Sequence, residues 1–182
     1  MERRWGGVVL TVTAVKGEER RLEPEAAGDH IDRLFRAAYA MCGSRDLAED
    51  LVQETYARVL SRPRFLRRDH DLGYLIKALR NTWYSHLRDE RLRRASTDRG
   101  EMEPDQLVAR RSDGDPESSL ETGAVLDALA ELPRPYREVV AAVDLAGLSY
   151  AEAARALGVR QGTIMSRLYR GREQVARAVG AD

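Results

Sequence analysis

The sequence predicts an all-α protein with two small helical domains joined by a flexible acidic linker. Three observations predict this fold class. Apolar residues recur at helical spacing from about residue 29 onward. Residues 96–119 contain almost no apolar side chains and many acids, as linkers do. Between Leu148 and Leu168 the chain carries the start, the turn and the second helix of a helix-turn-helix. A chain of 182 residues is long enough for two such domains.

Residues 1–28 are expected to be an N-terminal extension, either disordered or translated from a start codon placed too far upstream. Residues 8–15 are rich in β-branched side chains and could form a strand, but the sequence offers no partner strand. The same stretch makes a poor signal peptide, because it is short and leads into charged residues without a small-residue cleavage site. No apolar run reaches membrane-spanning length, so a cytoplasmic protein is expected.

The first domain is expected to span residues 29–95 and to contain three helices. Their expected bounds are about Asp29 to Gly43, Ser44 to the residues before Pro63, and Tyr74 to about Arg94. An arginine-rich loop, residues 61–73, precedes the third helix. Cys42 is the only cysteine, so neither a disulfide nor a cysteine-based zinc site is expected. It is expected to be a core residue or an ordinary reduced thiol.

The second domain, residues 120–182, is expected to carry the helix-turn-helix. Ser149 and Glu152 have the spacing of a capping box, in which both side chains satisfy free amides at a helix start. Gly158 ends this helix and begins the turn. The next helix has small or apolar residues at spacings of four, three and four, which would form its buried face. These residues are Ile164, Leu168, Gly171 and Val175.

The opposite face of that last helix is polar and basic. Its outward residues are expected to be Arg160, Gln161, Thr163, Ser166, Arg167 and Arg170, with Arg172 further along at phosphates. Residues 160–177 hold five arginines and one glutamate, a local net charge of +4. A helical hairpin with a merely solvated basic surface is the alternative. Polar side chains crowd the first two turns, where they reach base edges, and this favours binding in a DNA major groove.

The charge distribution along the chain also indicates nucleic acid. The formal net charge is zero, but it averages opposed blocks. Residues 62–94 carry +6 and residues 98–121 carry −5. Basic segments on either side of an acidic connector suggest two nucleic-acid surfaces joined by a tether.

The third helix and the loop before it interleave basic and aromatic side chains. This combination suits single-stranded nucleic acid, because cations follow the backbone while rings receive unstacked bases. The candidates are Arg64, Phe65, Arg67, Arg68 and His70 in the loop, and Arg80, Asn81, Trp83, Tyr84 and Arg88 in the helix. Trp83 and Tyr84 alone would more often be core residues. Adjacent helical residues cannot both face the core fully, so at least one of the two should be exposed.

The second helix carries a polar face opposite its apolar stripe. That face consists of Glu49, Asp50, Gln53 and Glu54. A solvated surface is the simpler explanation. However, the order of residues from Asp46 to Tyr56, DLAEDLVQETY, combined with the helix-turn-helix downstream, closely resembles the extracytoplasmic-function (ECF) branch of the sigma-70 family, the promoter-recognition subunits of bacterial RNA polymerase. The resemblance covers roughly residues 29–179.

The resemblance implies a division of labour. The polar face of the second helix would dock on the clamp helices of the polymerase large subunit. The loop of residues 61–73, with Asn81, would capture flipped bases of the −10 element, and the helix from Arg160 onward would read the −35 element. The acidic linker would pass toward the active-site and RNA-exit channels. An anti-sigma factor would be a further partner, and no cofactor or metal is expected.

Three residues depart from the family's pattern. Met165 stands where a basic residue is common, which removes a phosphate contact. Arg160 replaces a frequent proline, and His86 stands where an acidic residue is usual. These departures bear on the promoter sequence, not on the class of protein.

Two other classes of function are compatible with parts of the sequence. An autonomous helix-turn-helix repressor or activator would explain residues 120–182 but not the motif from Asp46 to Tyr56. A recombinase would need a nucleophile in a folded catalytic domain, and residues 29–95 offer only a small helical unit. The three histidines have no paired acid or cysteine at triad or metal spacing, so no catalysis is expected.

Overall fold

A computed structural model of the chain describes residues 19–22, 24–61, 65–67, 71–96 and 120–180, and most of them are helical, as predicted. The N-terminal unit consists of β1 (Glu19–Arg21), α1 (Pro24–Gly28), α2 (Ile31–Cys42), α3 (Arg45–Leu60), β2 (Phe65–Arg67) and α4 (Asp71–Ala95). The C-terminal unit consists of α5 (Leu120–Glu131), α6 (Arg134–Val140), a π-helical turn (Ala141–Leu145), α7 (Tyr150–Leu157) and α8 (Gln161–Ala178). Apart from Ser96, the predicted linker lies outside the described residues.

The first long helices begin and end where local signals place them. Gly43 ends α2 in the left-handed conformation, with φ 72°, a conformation that glycine adopts without steric cost. Ser44 is the N-cap of α3, and its side chain accepts a hydrogen bond from the backbone N–H of Leu47. Helix α4 begins at Asp71, three residues before the expected Tyr74.

The expectation that residues 1–28 lack structure is wrong for the described part of that segment. Strand β1 pairs antiparallel with β2, with Glu19 opposite Arg67. Ala27 of α1 is fully buried, and its carbonyl oxygen accepts a hydrogen bond of 2.7 Å from the hydroxyl of Tyr56. The partner strand lies within the loop that was expected to be irregular, 46 positions along the chain from β1. The strand considered at residues 8–15 lies outside the described residues.

The helix-turn-helix has the predicted geometry. The Ser149 side chain accepts a hydrogen bond from the Glu152 backbone, and the Glu152 carboxylate accepts one from the Ser149 N–H, which completes the capping box. Gly158 ends α7 with φ 69°. Helix α8 packs closely on α6 at Gly171, where a Cβ atom would lie 2.8 Å from Cγ2 of Val140. The glycine therefore permits an approach that no larger residue allows.

The two units share one apolar core. Helix α2 contacts α5 and the π-helical turn, and α4 contacts α7. Leu34 of α2, Leu79 of α4 and Ile164 of α8 are all fully buried in the same cluster. Among the described residues, no helix is long and apolar enough to cross a membrane.

Candidate nucleic-acid and polymerase interfaces

Helix α8 buries most of the face that the sequence predicted and exposes most of the opposite one. Ile164 and Leu168 are at most 2% exposed. The residues exposed around the first turns are Arg160, Gln161, Met165, Ser166, Tyr169 and Arg170. Met165 and Tyr169, which were not predicted as contacts, are 54% and 70% exposed. The surface of the helix is thus basic and polar with two large apolar side chains in it.

Three of the residues predicted to face DNA are held differently. Thr163 and Arg167 are half-buried rather than outward. Arg167 lies close enough to Glu138 for its charge to lower the pKa of that carboxyl, against the larger effect of burial. Arg172 is exposed but donates two hydrogen bonds, of 3.0 and 2.5 Å, to the Asp144 carboxylate. A phosphate contact by Arg172 would compete with this ion pair.

The cluster on α4 is divided between the surface and the core. Asn81 and Arg88 are exposed. Trp83 is only 3% exposed, and its ring stacks on His86 with the centroids 5.7 Å apart. The prediction that Trp83 faces DNA is therefore corrected: it is a core residue, because its side of α4 packs against the rest of the bundle. Tyr84 is the half-buried member of the adjacent pair.

The remaining α4 candidates are engaged by the C-terminal unit. Nε of Arg80 donates a hydrogen bond of 2.9 Å to Oε2 of Glu138. The guanidinium carbons of Arg80 and Arg134 lie 4.7 and 4.5 Å from the centroid of the Tyr84 ring. Cations at these distances from an aromatic ring are attracted by its electron-rich face. Sequence reasoning missed these contacts because nothing local pairs α4 with α6.

Most of the predicted loop cluster cannot be placed. Arg64, Arg68 and His70 lie outside the described residues. Phe65 and Arg67 are the end residues of β2, where the structure describes their backbone but not their side chains.

The four polar residues predicted on α3 share one exposed face of that helix. Glu49, Asp50, Gln53 and Glu54 are all exposed. Glu49 accepts a hydrogen bond from Arg45 at 3.3 Å, and Glu54 accepts one from Arg58 at 2.5 Å. Exposed pairs of this kind contribute little to stability. The acids are therefore free to exchange these partners for others.

An apolar groove adjoins that face and was not predicted. Its volume is about 580 Å³, and its apolar lining residues are Ile31, Phe35, Val52 and Tyr56. Ile31, the first residue of α2, is 49% exposed. The sequence did not reveal the groove because its two walls come from different helices, α2 and α3. Burial raises the pKa of the Tyr56 hydroxyl beside it to about 12.

Arginines hold the two units together through backbone carbonyls. Arg137, 4% exposed, donates to three carbonyls at the end of α5 and to that of Met41 in α2. From α2, Arg33 donates to the carbonyls of Ala146 and Gly147 at 2.6 and 3.0 Å, immediately before the helix-turn-helix. Cys42 is also buried here, and desolvation raises the pKa of its thiol to about 11. It is a core thiol, as predicted.

Comparisons with known proteins identify both units. The family model for Sigma-70 region 2 matches residues 27–93, and that for Sigma-70 region 4 matches residues 122–175. The chain is 35% identical over 158 residues to the ECF RNA polymerase sigma factor SigE of Mycolicibacterium smegmatis, a match covering 83% of this chain. It spans only 59% of the length of that relative. It is 34% identical over 168 residues to SigC of Mycobacterium tuberculosis, covering 90% of this chain and 86% of SigC.

A solved structure has the same fold. The sigma factor RpoE of Bartonella quintana, crystallised in complex with the anti-sigma factor NepR, aligns with a TM-score of 0.69 and 25% sequence identity. The alignment covers 87% of this chain and 96% of that one. The helix order, the capped helix-turn-helix, both region matches and the similarity to SigC over 86% of its length all indicate one family. This chain belongs to the ECF branch of the sigma-70 family of RNA polymerase sigma factors.

Proposed function

We propose that this protein directs core RNA polymerase to specific promoters and assists promoter melting. The observation that carries the proposal is that one chain has two exposed surfaces of opposite charge. An exposed acidic face on α3 suits a basic protein partner, whereas the exposed basic face of α8 suits DNA. A DNA-binding regulator acting alone would need only the second surface.

Helix α8 would read the −35 element in the major groove. Arg160, Gln161, Ser166 and Arg170 are exposed at its first turns and can reach base edges or phosphates. Thr163 and Arg167 lie on its flank, and Arg167 has the length to extend from there to a guanine. Arg172 would release Asp144 and contact a phosphate instead. The exposure of Arg160, Gln161, Ser166 and Arg170 and the helix-turn-helix geometry support this proposal.

Helix α4 and the loop before it would hold the −10 element. Among the α4 candidates, whose side chains the structure describes, Asn81 and Arg88 are exposed, and Tyr84 offers part of its ring. Arg64, Phe65, Arg67, Arg68 and His70 would complete the surface. The Nε–H of Arg80 can join this surface only when its bond to Glu138 is released.

The polar face of α3 would dock on the polymerase. Its residues Glu49, Asp50, Gln53 and Glu54 present three acids and an amide, which suits a basic surface. RNA synthesis itself would remain with the polymerase, so this chain would not be an enzyme, and it would act in the cytoplasm. The neighbour crystallised with an anti-sigma factor supports an anti-sigma partner here as well.

In vitro transcription with core polymerase tests the proposal. Genomic fragments are transcribed with core polymerase alone or with the added chain, and the transcripts are sequenced from their 5′ ends. The proposal expects new start sites that share two upstream motifs and depend on the chain. A gel shift without polymerase distinguishes this function from the main alternative, an autonomous DNA-binding regulator. An autonomous regulator would bind its specific sites tightly by itself and create no start sites with core enzyme.

A further inference from the structure

Two large apolar side chains stand on the DNA-facing side of α8. Met165 and Tyr169 are 54% and 70% exposed, although Ile164 and Leu168, their neighbours in sequence, are buried. Residues four apart on a helix lie one above the other, so Gln161, Met165 and Tyr169 form one row. Met165 and Tyr169 each follow a buried residue in the chain. Since successive helical residues lie roughly 100° apart around the helix axis, the row points about that far away from the buried face.

The surroundings of this row favour DNA over a protein partner. Residues 160–172 include four arginines and no acid. Arg160 and Arg170 are exposed on either side of the row along the helix, and Ser166 adjoins Met165. A protein surface that covers two apolar side chains would also have to neutralise these cations. A major groove can cover the apolar side chains and neutralise the cations, because phosphates flank its base edges.

The chemistry of the groove identifies what an apolar side chain can recognise there. Among the base edges in the major groove, thymine alone presents a methyl group. The methionine side chain is unbranched and polarisable, so it adapts to such a contact. A basic residue at the same position would instead favour guanine or phosphate.

We infer that Met165 is a specificity-determining residue that reads the methyl group of a thymine in the −35 element, with Tyr169 beside it on the same row. This inference rests on the proposed function. It adds that the −35 sequence of this protein contains a thymine, on either strand, at the base pair opposite Met165. It also explains why a residue that contributes nothing to the core is apolar.

Replacement of thymine by deoxyuridine removes the methyl group and nothing else. Holoenzyme assembled from the full chain and core polymerase first selects its preferred duplex from a random pool. That duplex is then synthesised with deoxyuridine at one thymine at a time, and each affinity is measured. One substitution in the upstream motif is expected to weaken binding about four-fold, the effect of losing one buried methyl group. In Met165→Ala the same substitution should have no further effect.

A second variant and a matched control sharpen the test. Met165→Arg should change the preferred base at the same position to guanine, since arginine pairs with its O6 and N7 atoms. Leu92→Ala removes another exposed apolar side chain, 64% exposed on α4, and should leave the deoxyuridine effect at the −35 element unchanged. Because Met165 is exposed, its variants are expected to fold normally.

Each outcome decides between the two hypotheses. If holoenzyme selects a two-part motif but tolerates deoxyuridine at every upstream position, or if Met165→Ala keeps the full deoxyuridine effect, the role of Met165 is refuted and the proposed function stands. If no motif is selected, both fail. A chain dimer that Met165→Ala dissociates, with no methyl effect, would assign the row to a second copy and would also overturn the inference.

Discussion

Arg80 and Glu138 form an ion pair that joins the two units of the protein. They are 58 positions apart in the chain, yet Nε of Arg80 lies 2.9 Å from Oε2 of Glu138. The Glu138 side chain is only 8% exposed, and that of Arg80 is 25% exposed. Burial raises the pKa of the Glu138 carboxyl, and the nearby Arg80 charge only partly opposes this effect. The pair therefore links α4 to α6 through a carboxylate that is costly to ionise.

The raised pKa of Glu138 predicts how Glu138→Gln changes stability with pH. The native carboxyl keeps its proton to a higher pH than the unfolded one, whose pKa is about 4.3. The stability that Glu138 contributes is thus fully present below about 4.3 and falls as pH rises through the native pKa. Glutamine does not titrate. Urea denaturation across the acid range should show the wild-type chain losing stability relative to Glu138→Gln as pH rises.

Glu90→Gln is the control with the opposite sign. Hydrogen bonds from Arg93, and next from Arg94, hold the pKa of the Glu90 carboxyl below its ordinary value. Its contribution to stability is present above the unfolded pKa and is lost as pH falls through the native one. The stability of the wild type relative to Glu90→Gln should therefore increase as pH rises. The same direction of change for both variants would contradict the assignment for Glu138.

Arg137→Lys is expected to destabilise the protein by about 3 kcal/mol. The guanidinium of Arg137 satisfies carbonyls at the ends of two helices, including those of Leu132 at 2.7 Å and Met41 at 3.3 Å. A lysine ammonium cannot reach all of them, so buried acceptors would remain unpaired. Arg177→Lys, at a side chain 72% exposed, should change stability by less than about 0.5 kcal/mol. Equal midpoints of urea denaturation for the two variants would refute this role.

Two glycines of α8 should respond oppositely to alanine. Gly171→Ala would place a Cβ 2.8 Å from Cγ2 of Val140 and 3.5 Å from Cβ of Tyr136, and should destabilise by about 1–3 kcal/mol. A Cβ at Gly162 would meet nothing within 4 Å. Gly162→Ala should therefore stabilise the protein by about 0.4–1 kcal/mol through the higher helix propensity of alanine. Thermal denaturation of both variants measures this, and stabilisation by Gly171→Ala would show that α6 and α8 are not so closely packed.

Charge reversal on α3 tests the proposed polymerase dock. Asp50→Arg with Glu54→Arg should preserve folding, since both residues are exposed, but should weaken binding to core polymerase by about tenfold or more at low salt. Asp89→Arg with Glu131→Arg makes the same change of charge at other exposed positions and should leave core binding intact. Binding is measured by fluorescence anisotropy with labelled chain. Unchanged affinity in the α3 variant would remove this face from the proposed dock.

Features fixed by local sequence were predicted well. The capping box of Ser149 and Glu152, the turn at Gly158 and the Ser44 cap each involve residues a few positions apart, so short-range patterns suffice to find them. The buried and exposed faces of α3 and the burial of Ile164 and Leu168 in α8 follow from helical periodicity in the same way, whereas Thr163 and Arg167, expected outward, are half-buried. Local patterns therefore predicted most of the helices and the exposure of the four polar residues on α3.

Features that depend on distant partners were missed. Pairing of β1 with β2 needs a strand that no residue near β1 specifies. Burial of Trp83, the Arg80–Glu138 pair and the half-burial of Arg167 depend on which elements pack beside α4 and α8. Helical periodicity gives the direction of a side chain, not the identity of its neighbour. The sequence alone therefore could not predict which of the α4 candidates are exposed and which are buried.

The contacts of α4 with α6 have a consequence for any measured affinity. If the α4 surface binds DNA, the Nε–H of Arg80 and the face of the Tyr84 ring that Arg134 covers become available only after these side chains leave Glu138 and Arg134. The apparent dissociation constant of that surface is then the intrinsic one divided by the fraction of molecules in which these contacts are open. If that fraction is about one in a hundred, the measured affinity of the free chain is about a hundredfold below the intrinsic affinity. Part of the intrinsic free energy of binding is then used to open these contacts, and a partner that keeps them open raises the measured affinity without touching DNA.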